Sequence, residues 1–557
     1  MQSLRDKGYF EPLREYIKSG KPYMGICIGM QALFRSSEEA PDQPGLNIID
    51  AHVARFDSTS KAVPAIGWNG ATLLRKSQPS TSSASSASSP FFGLDEEAEH
   101  QQSFYFVHSY RASYDGETQQ DARDWALTVT EYGDERYVSC VQRKNVFATQ
   151  FHPEKSGAAG LAVLRAWLEH GGVSAGADEL EQCDKSPVRP EQEVRAMLDA
   201  NPFKRRVVAC LDVRSNDDGD LVVTKGDQYD VRESDTAAQS GGGGGGGEDR
   251  RVRNLGKPVD LARRYFAEGA DEIAFLNITS FRSCPLHDQP MLDVVRGAAE
   301  TVFVPLTIGG GIRDTTDPDG TKRSALDVAG AYFRSGADKV SIGSDAVFAV
   351  ERLWDNDNKP DGQSSIEQIA RGYGAQAVVV SIDPKRVYAT SLEDVDPKHR
   401  PSTVDLAGEL PGGGSTPRPD LGPNGEQYCW YQCTVSGGRA TRDMDVVQLA
   451  QGVERLGAGE ILLNSVDRDG SKAGFDLRLV SLVKNAVKIP VIASSGAGKV
   501  EDFSEVFQET NVEAALAAGI FHRREVPLSD VKDHLRSVGI GVRADGASAP
   551  SLDSLAV

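Results

Sequence analysis

Val208-Ala-Cys-Leu-Asp212 and Val379-Val-Ser-Ile-Asp383 decide the fold of this 557-residue chain. Each is a short apolar run closed by an aspartate, and each heads a matching series. Gly269-Ala-Asp-Glu-Ile273 resembles Gly457-Ala-Gly-Glu-Ile461, and Val304-Pro-Leu-Thr-Ile-Gly-Gly-Gly311 resembles Ile489-Pro-Val-Ile-Ala-Ser-Ser-Gly-Ala-Gly498. A run ending Ile342-Gly343-Ser344 pairs more loosely with one ending Ala518-Gly519. The apolar runs are Val207–Val213, Glu272–Ile278, Val304–Ile308, Lys339–Ile342, Ala377–Ile382, Glu460–Ser465, Pro490–Ala493 and Ala514–Ala517. Continuous apolar strands alternating with helical patterns imply a parallel sheet covered on both faces. Eight of them, in two self-similar halves, imply a closed (β/α)8 barrel built from half-barrels.

Working outward, the residues before about Gly172 have a different character. Short apolar strands alternate with turns after one amphipathic helix, Leu4 to Lys18. This is the pattern of a smaller α/β domain. The chain therefore divides into 1–172, a polar linker at 173–203, a barrel at 204–547 and a tail at 548–557. Three stretches read as flexible inserts: Ser-rich Gln78 to Pro90, Ser240 to Glu248 with its run of glycines, and the Pro-, Gly- and Asp-rich region from Leu392 to Glu426.

The bulk numbers exclude several classes. A net charge of −20 argues against nucleic acid as a partner. No run of roughly 18 apolar residues is present, which argues against a membrane span. The cysteines are seven, odd in number and widely spaced, so a reducing compartment is expected rather than a disulfide framework. The expected location is the cytoplasm, or a plastid should the true start lie upstream. Cys429-Trp-Tyr-Gln-Cys433 lacks a second ligand pair, and neither metal nor cofactor is expected.

Gly25-Ile-Cys-Ile-Gly29 follows a short strand, Pro22–Met24, and leads into a helical segment, Met30 to Phe34. This is a nucleophile elbow with Cys27 in the place of serine. A thiol at a helix N-terminus is favoured as thiolate. Alone, the motif also fits a buried apolar cysteine. Phe147-Ala-Thr-Gln-Phe-His-Pro-Glu154 supplies the complement, a strand ending in His-x-Glu. Cys27, His152 and Glu154 then read as nucleophile, base and orienting carboxylate.

In the barrel, Asp212 and Asp383 end the first and fifth strands, on opposite sides of the mouth where barrel catalysis occurs. Facing carboxylates suit general acid and base work. Gly310-Gly311 and Ser495-Gly496 follow the third and seventh strands, and Gly343-Ser344 and Gly519 follow the fourth and eighth. Small turns at helix starts bring backbone N–H groups around an anion. Two such pairs predict two phosphate sites on one mouth, and hence an elongated bis-phosphate substrate.

Gly25-Ile-Cys-Ile-Gly-Met-Gln31 with Gln150-Phe-His-Pro-Glu154 resembles the class I glutamine amidotransferases. That resemblance implies attack on glutamine by Cys27, a glutamyl thioester, released ammonia, and Gln31 as a residue binding the substrate. Phe106-Val-His-Ser-Tyr110 resembles another segment of that family, although His108 also fits a structural strand position. In the family a Pro-Gly-Val-Gly loop before the elbow contributes to the oxyanion hole. The chain starts after the place for it, so the amidotransferase half is expected to be incomplete, with the Ile28 N–H as one donor.

Arg206-Val-Val-Ala-Cys-Leu-Asp-Val213, Thr307-Ile-Gly-Gly-Gly-Ile-Arg313 and Leu463-Asn-Ser-Val-Asp-Arg-Asp-Gly470 resemble the cyclase of imidazole glycerol phosphate synthase. Joined in this order, the two halves resemble its fused fungal and plant form. The resemblance implies that ammonia reacts with phosphoribulosyl-formimino-AICAR phosphate (PRFAR) to give imidazole glycerol phosphate and AICAR. It implies Asp212 and Asp383 as the acid/base pair, Lys225 on a loop over the site, and Asp469-Gly470 at the mouth. It also implies Arg206, Glu272, Lys339 and Glu460 as a charged ring where ammonia enters. Glutamine and PRFAR are then the partners, and fusion removes the need for a separate protein partner. The alternative is a cyclase using external ammonia, its first half a scaffold. A related barrel isomerase joined to another glutaminase is disfavoured, since no GxxxxGK[ST] loop is present.

Overall fold

The computed structural model describes residues 1–76, 102–115, 120–171, 187–216, 221–224, 254–278, 286–413, 415 and 419–544. They fall into two units, Met1–Lys204 with the residues from Arg543, and Arg205–Val542. The Ser-rich insert, the glycine run, Lys225 and the tail 548–557 lie outside the described residues.

The first unit is built on a five-stranded sheet. Its order is Tyr23–Ile26, Val146–Thr149, Glu135–Arg143, Ala126–Tyr132, Thr72–Leu73. Only the first pair is parallel, with Gly25 beside Ala148 and Ile26 beside Thr149. Strand residues alternate between faces, and Val146-Phe147-Ala148 shows it. Val146 and Ala148 join a core with Phe10, Ile17, Val138 and Val141, whereas Phe147 joins one with Phe104, Phe106, Tyr137 and Phe151. Each buried Val, Ile or Phe among them contributes roughly 1.5–3 kcal/mol by leaving water.

Several local expectations are corrected. The helix expected from Leu4 to Lys18 is two helices, Gln2–Asp6 and Phe10–Lys18. Gly8 between them has φ +71°, a left-handed conformation that ends the first. The strand expected at Pro22–Met24 is Tyr23–Ile26, and the helical segment expected at Met30–Phe34 is Ile28–Gln31, with Phe34 opening a strand to Ser37. Within the stretch expected as linker, 173–203, residues Glu191–Ala200 form a helix. Its Val194 and Leu198 pack into the first unit's core.

In the second unit eight parallel strands close on themselves. They are Arg206–Ser215, Glu272–Asn277, Leu306–Gly309, Lys339–Ile342, Val378–Ile382, Glu460–Leu463, Val491–Ser494 and Ala514–Ala517. Closure comes from the pairing of Arg206 with Ala514 through Ala209 with Ala517. These are the expected runs with their ends moved: the first is longer, from Arg206 to Ser215, the third starts at Leu306, just after Pro305, and the seventh ends one residue later, at Ser494. Both faces of the strands are covered, which is why they read as unbroken apolar runs.

Leu392 to Glu426 is not the coreless loop expected. Its described part buries Val395, His399, Val404, Leu406 and Leu410. Val404–Asp405 pairs with Tyr428–Val435, which also pairs with Pro384–Ala389 and Ala440–Asp445 in a four-stranded sheet. The polar composition misled because the apolar residues are few and far apart in sequence, and the sheet gathers them. Among the described residues, no helix is long and apolar enough to cross a membrane.

Candidate active sites

The parallel register sets the first site. Pairing Ile26 with Thr149 carries Cys27 alongside the segment that ends in His152, and the Cys27 N–H donates to Thr149 O at 2.7 Å. Cys27 has φ +51°, a strained value for a non-glycine residue at a turn between strand and helix. Gly25 permits the turn, because a Cβ there would lie 2.7 Å from the Gly29 backbone. Among the described cysteines Cys27 is the partly accessible one; Cys140, Cys210, Cys429 and Cys433 are buried. Burial pushes the Cys140 and Cys433 thiols well up, which makes them poor nucleophiles.

His152 is held from three sides. Its N–H donates to Tyr105 O at 2.9 Å, and its carbonyl accepts from Ser156 Oγ at 2.6 Å. Its ring Nδ1 lies 2.7 Å from Glu154 Oε1. Burial opposes the charged imidazole, but a hydrogen bond and the charge of Cys27, with Glu154 behind, overcome it and raise the pKa to about 10. Glu154 is lowered in turn, its burial outweighed by His152. Sulfur, imidazole and carboxylate are thus brought together in the order a nucleophilic triad needs.

Gln31, expected to bind glutamine, donates from Nε2 to Tyr110 O and to Gln150 Oε1, both at 2.9 Å. Gln150 donates to Cys27 Sγ at 3.5 Å. Sequence reasoning quoted Gln150 only as part of a motif. His108 is buried, its Nδ1 bonded to Tyr110 O at 2.8 Å, and burial lowers its pKa to about 4. It is a neutral imidazole in an aromatic cluster with Phe56 and Tyr137.

The second unit builds its site on strand alternation. Val208 and Cys210 point into the barrel core, so Arg206 and Asp212, two residues away on either side, share that face. One strand thus presents charge at the barrel floor, apolar filling in the middle and a carboxylate at the mouth, over about 20 Å. Glu272, Lys339 and Glu460 each begin their strands at the same level as Arg206. The four close a fully buried ring. Arg206 pairs with Glu272 at 2.6 Å and with Glu460; Lys339 pairs with Glu272 at 2.7 Å and with Glu460 at 2.6 Å. Two cations and two anions cancel, and the neighbouring cations hold the Glu272 carboxyl below its ordinary range against the effect of burial.

At the mouth lies a cavity of about 650 Å³. Asp212 and Asp383 both line it, as do Gly310, Gly311, Gly343, Ser344, Asp469, Gly470, Ser495, Gly496 and Gly519. Every mouth residue expected from the repeat, and Asp469 and Gly470 expected from the resemblance, border this one space; Lys225 lies outside the described residues. Gly310 (φ +94°) must be glycine, since a Cβ would lie 2.1 Å from Asn277 O. Burial pushes the Asp383 carboxyl up, against the lowering effect of Asn464 Nδ2, which donates to it at 2.6 Å, and the charge of Asp469 adds to the rise. One carboxyl is thereby biased toward its protonated form, as a general acid requires. Sequence reasoning missed Asn464, although it sits two residues after an inward Leu462 and the period-two rule places it there. It also missed Arg439 and Lys472, which line the cavity from loops without a repeat partner.

With the geometry established, known proteins supply a comparison. Residues 206–527 match the histidine biosynthesis protein family, and residues 4–169 match the class I glutamine amidotransferases. The imidazole glycerol phosphate synthase hisHF of Emericella nidulans is 52% identical over 98% of this chain and 89% of its own length. That of Schizosaccharomyces pombe is 51% identical over 97% of this chain and 90% of its length. The Arabidopsis thaliana hisHF, described as chloroplastic, is 49% identical over 98% of this chain and 81% of its length. With an amidotransferase unit carrying the cysteine elbow and a closed eight-stranded barrel carrying the aspartate-lined cavity, the chain belongs to the bifunctional hisHF family of imidazole glycerol phosphate synthases.

Proposed function

We propose that Cys27, His152 and Glu154 hydrolyse glutamine, and that Asp212 and Asp383 use the ammonia to close an imidazole ring on PRFAR. Cys27 attacks the glutamine carboxamide, and His152 gives its proton to the departing ammonia. Water then cleaves the glutamyl thioester to glutamate. Glu154 keeps the imidazole in one tautomer and stabilises its charged form. Gln31 orients the substrate, and the Ile28 N–H donates to the oxyanion.

In the barrel, ammonia enters through the ring of Arg206, Glu272, Lys339 and Glu460. This keeps it out of water, where it would be protonated and lose its nucleophilic lone pair. At the mouth ammonia displaces the ribulosyl oxygen, and ring closure with cleavage of the formimino linkage yields imidazole glycerol phosphate, AICAR and water. Asp383 serves as the acid and Asp212 as the base. Gly310, Gly311, Gly343 and Ser344 hold one phosphate; Ser495, Gly496 and Gly519 hold the other, beside Asp469-Gly470. No cofactor or metal takes part, and the proposed compartment is the cytoplasm.

The observation that carries this reading is the single cavity bordered by both aspartates and both pairs of small-residue turns. The test is cyclase turnover of the purified chain on PRFAR, with glutamine or an ammonium salt as nitrogen donor. Turnover with both is expected. Turnover with ammonium alone would reduce the first unit to a scaffold, and turnover with neither would overturn the assignment.

A further inference from the structure

The insert after the fifth barrel strand ends in a tight turn, Ser436-Gly-Gly-Arg439, between the strands Tyr428–Val435 and Ala440–Asp445. Ser436, Gly437 and Gly438 are all left-handed, with φ of 58°, 66° and 77°. The turn is fixed against one face of the helix Ser344–Asp355. The Ser436 N–H donates to Ser344 Oγ at 2.8 Å. One turn further along the helix, the Arg442 guanidinium lies 5.5 Å from the Phe348 ring centre. Beyond that, Arg442 clasps Glu351 through two bonds of 2.8 Å. Ser344, Phe348 and Glu351 are spaced four and three apart, which is one stripe on a helix. The hairpin is therefore registered on the helix whose first residue is a phosphate-binding candidate.

We infer that Arg439 is a third wall of that anion site, a specificity-determining cation for the phosphate held by Gly310-Gly311 and Gly343-Ser344. This rests on the functional reading above. Arg439 lines the cavity together with Ser436, Gly437, Gly343 and Ser344. Its side chain engages no carboxylate among the described residues. The opposite end of the mouth differs: Lys472 and Arg523, which also line it, share Glu525 at 2.8 and 2.9 Å. Ser344 Oγ accepts from the turn, so its own hydrogen is left to be donated to a ligand. Backbone donors at a helix start, a hydroxyl donor and a planar guanidinium together suit a phosphate dianion.

The test is calorimetric titration of PRFAR into the full chain without a nitrogen donor, followed by ammonium-dependent turnover. Arg439→Gln is exposed on a turn and removes only the charge. Its Kd and KM should rise about tenfold or more, with the loss in KM rather than in kcat. Arg439→Lys should recover most of the binding. Equal PRFAR affinity in wild type and R439Q overturns the inference. Wild-type binding that R439Q weakens, with no turnover in either, would leave the anion site standing and overturn the assigned reaction instead.

Discussion

The Gln150 side chain bridges Gln31 and Cys27: its oxygen accepts from Gln31 Nε2 at 2.9 Å while its amide donates to Cys27 Sγ at 3.5 Å. Gln150 is fully buried, so its amide has no water to fall back on. An N–H aimed at sulfur favours thiolate over thiol, and the bridge ties the substrate-binding candidate to the nucleophile.

Gln150→Leu should therefore slow alkylation of Cys27 by iodoacetamide at neutral pH. Leaving one N–H of the Gln31 amide without its acceptor, with only Tyr110 O remaining, should also cost about 1–3 kcal/mol of stability. Gln150→Glu keeps an acceptor for Gln31 but removes the donor to sulfur. It should restore the stability and not the reactivity. If both variants alkylate like wild type, Gln150 merely fills space.

Cys27 first and Glu154 behind it hold a proton on His152 and set a pH window. The imidazole pKa lies at about 10 against an ordinary 6.5. A pKa raised in the folded state adds stability that is complete below about pH 6.5 and is lost as pH rises through about 10. Glu154→Gln should bring the upper edge of that window down. It should also cut glutaminase turnover by about 10²-fold or more, since tautomer and charge lose their support. Ammonium-dependent cyclase activity should stay as it is. Chemical unfolding across pH 6 to 11, beside both activity assays, checks each part.

How far these sites were legible in sequence depends on how local their physics is. The elbow, the His-x-Glu segment and the paired aspartates were readable because strand period and turn chemistry act over a few residues. The eight barrel strands were readable because parallel strands are apolar throughout. The Leu392–Glu426 insert was not, because Val404 and Leu406 find their core in a sheet with partners at Pro384–Ala389 and Tyr428–Val435. The helix Glu191–Ala200 was mistaken for linker because its charged outer face hides the stripe of Val194, Met197 and Leu198. Gln150 reaches Cys27, 123 positions away, and Arg439 borders the cavity on a turn whose Ser436 is bonded to Ser344, 92 positions away; no local pattern announces either.

Asp383 should trade stability for activity. Burial raises its carboxyl above the ordinary 3.8. The folded state then binds that proton more tightly than the unfolded one, so a penalty sets in as pH rises from about 3.8 through the raised value. Asp383→Asn removes the penalty and keeps an oxygen to accept from Asn464. It should raise the Tm at neutral pH and lower cyclase turnover by about 10²-fold or more. A lower Tm with retained turnover would show that Asp383 is structural.

The floor ring should behave as one charge-balanced unit. Lys339→Met leaves Glu272 and Glu460 sharing Arg206, one uncompensated negative charge in a site without water. Breaking such a buried set costs about 3–5 kcal/mol. Urea unfolding measures it. A cost below about 1 kcal/mol would mean the carboxylates take up a proton or a cation instead.

Glutamine hydrolysis at Cys27 should be slow until the barrel mouth is filled, because ammonia made without an acceptor is lost to water. Between two binding sites such coupling is typically about 1–3 kcal/mol, or 5–150-fold in affinity, and that is the order of effect expected on the rate. Adding PRFAR should raise glutaminase turnover within that range. Two variants separate occupancy from chemistry. Asp212→Asn should stop the cyclase yet still let PRFAR stimulate glutamine hydrolysis, if binding alone is the signal. Arg439→Gln should shift the PRFAR concentration for half-stimulation upward by the same factor as its Kd. Stimulation that vanishes in D212N would make ring closure itself the trigger. Equal glutamate release with and without PRFAR in wild type would mean that the two sites share a chain and nothing more.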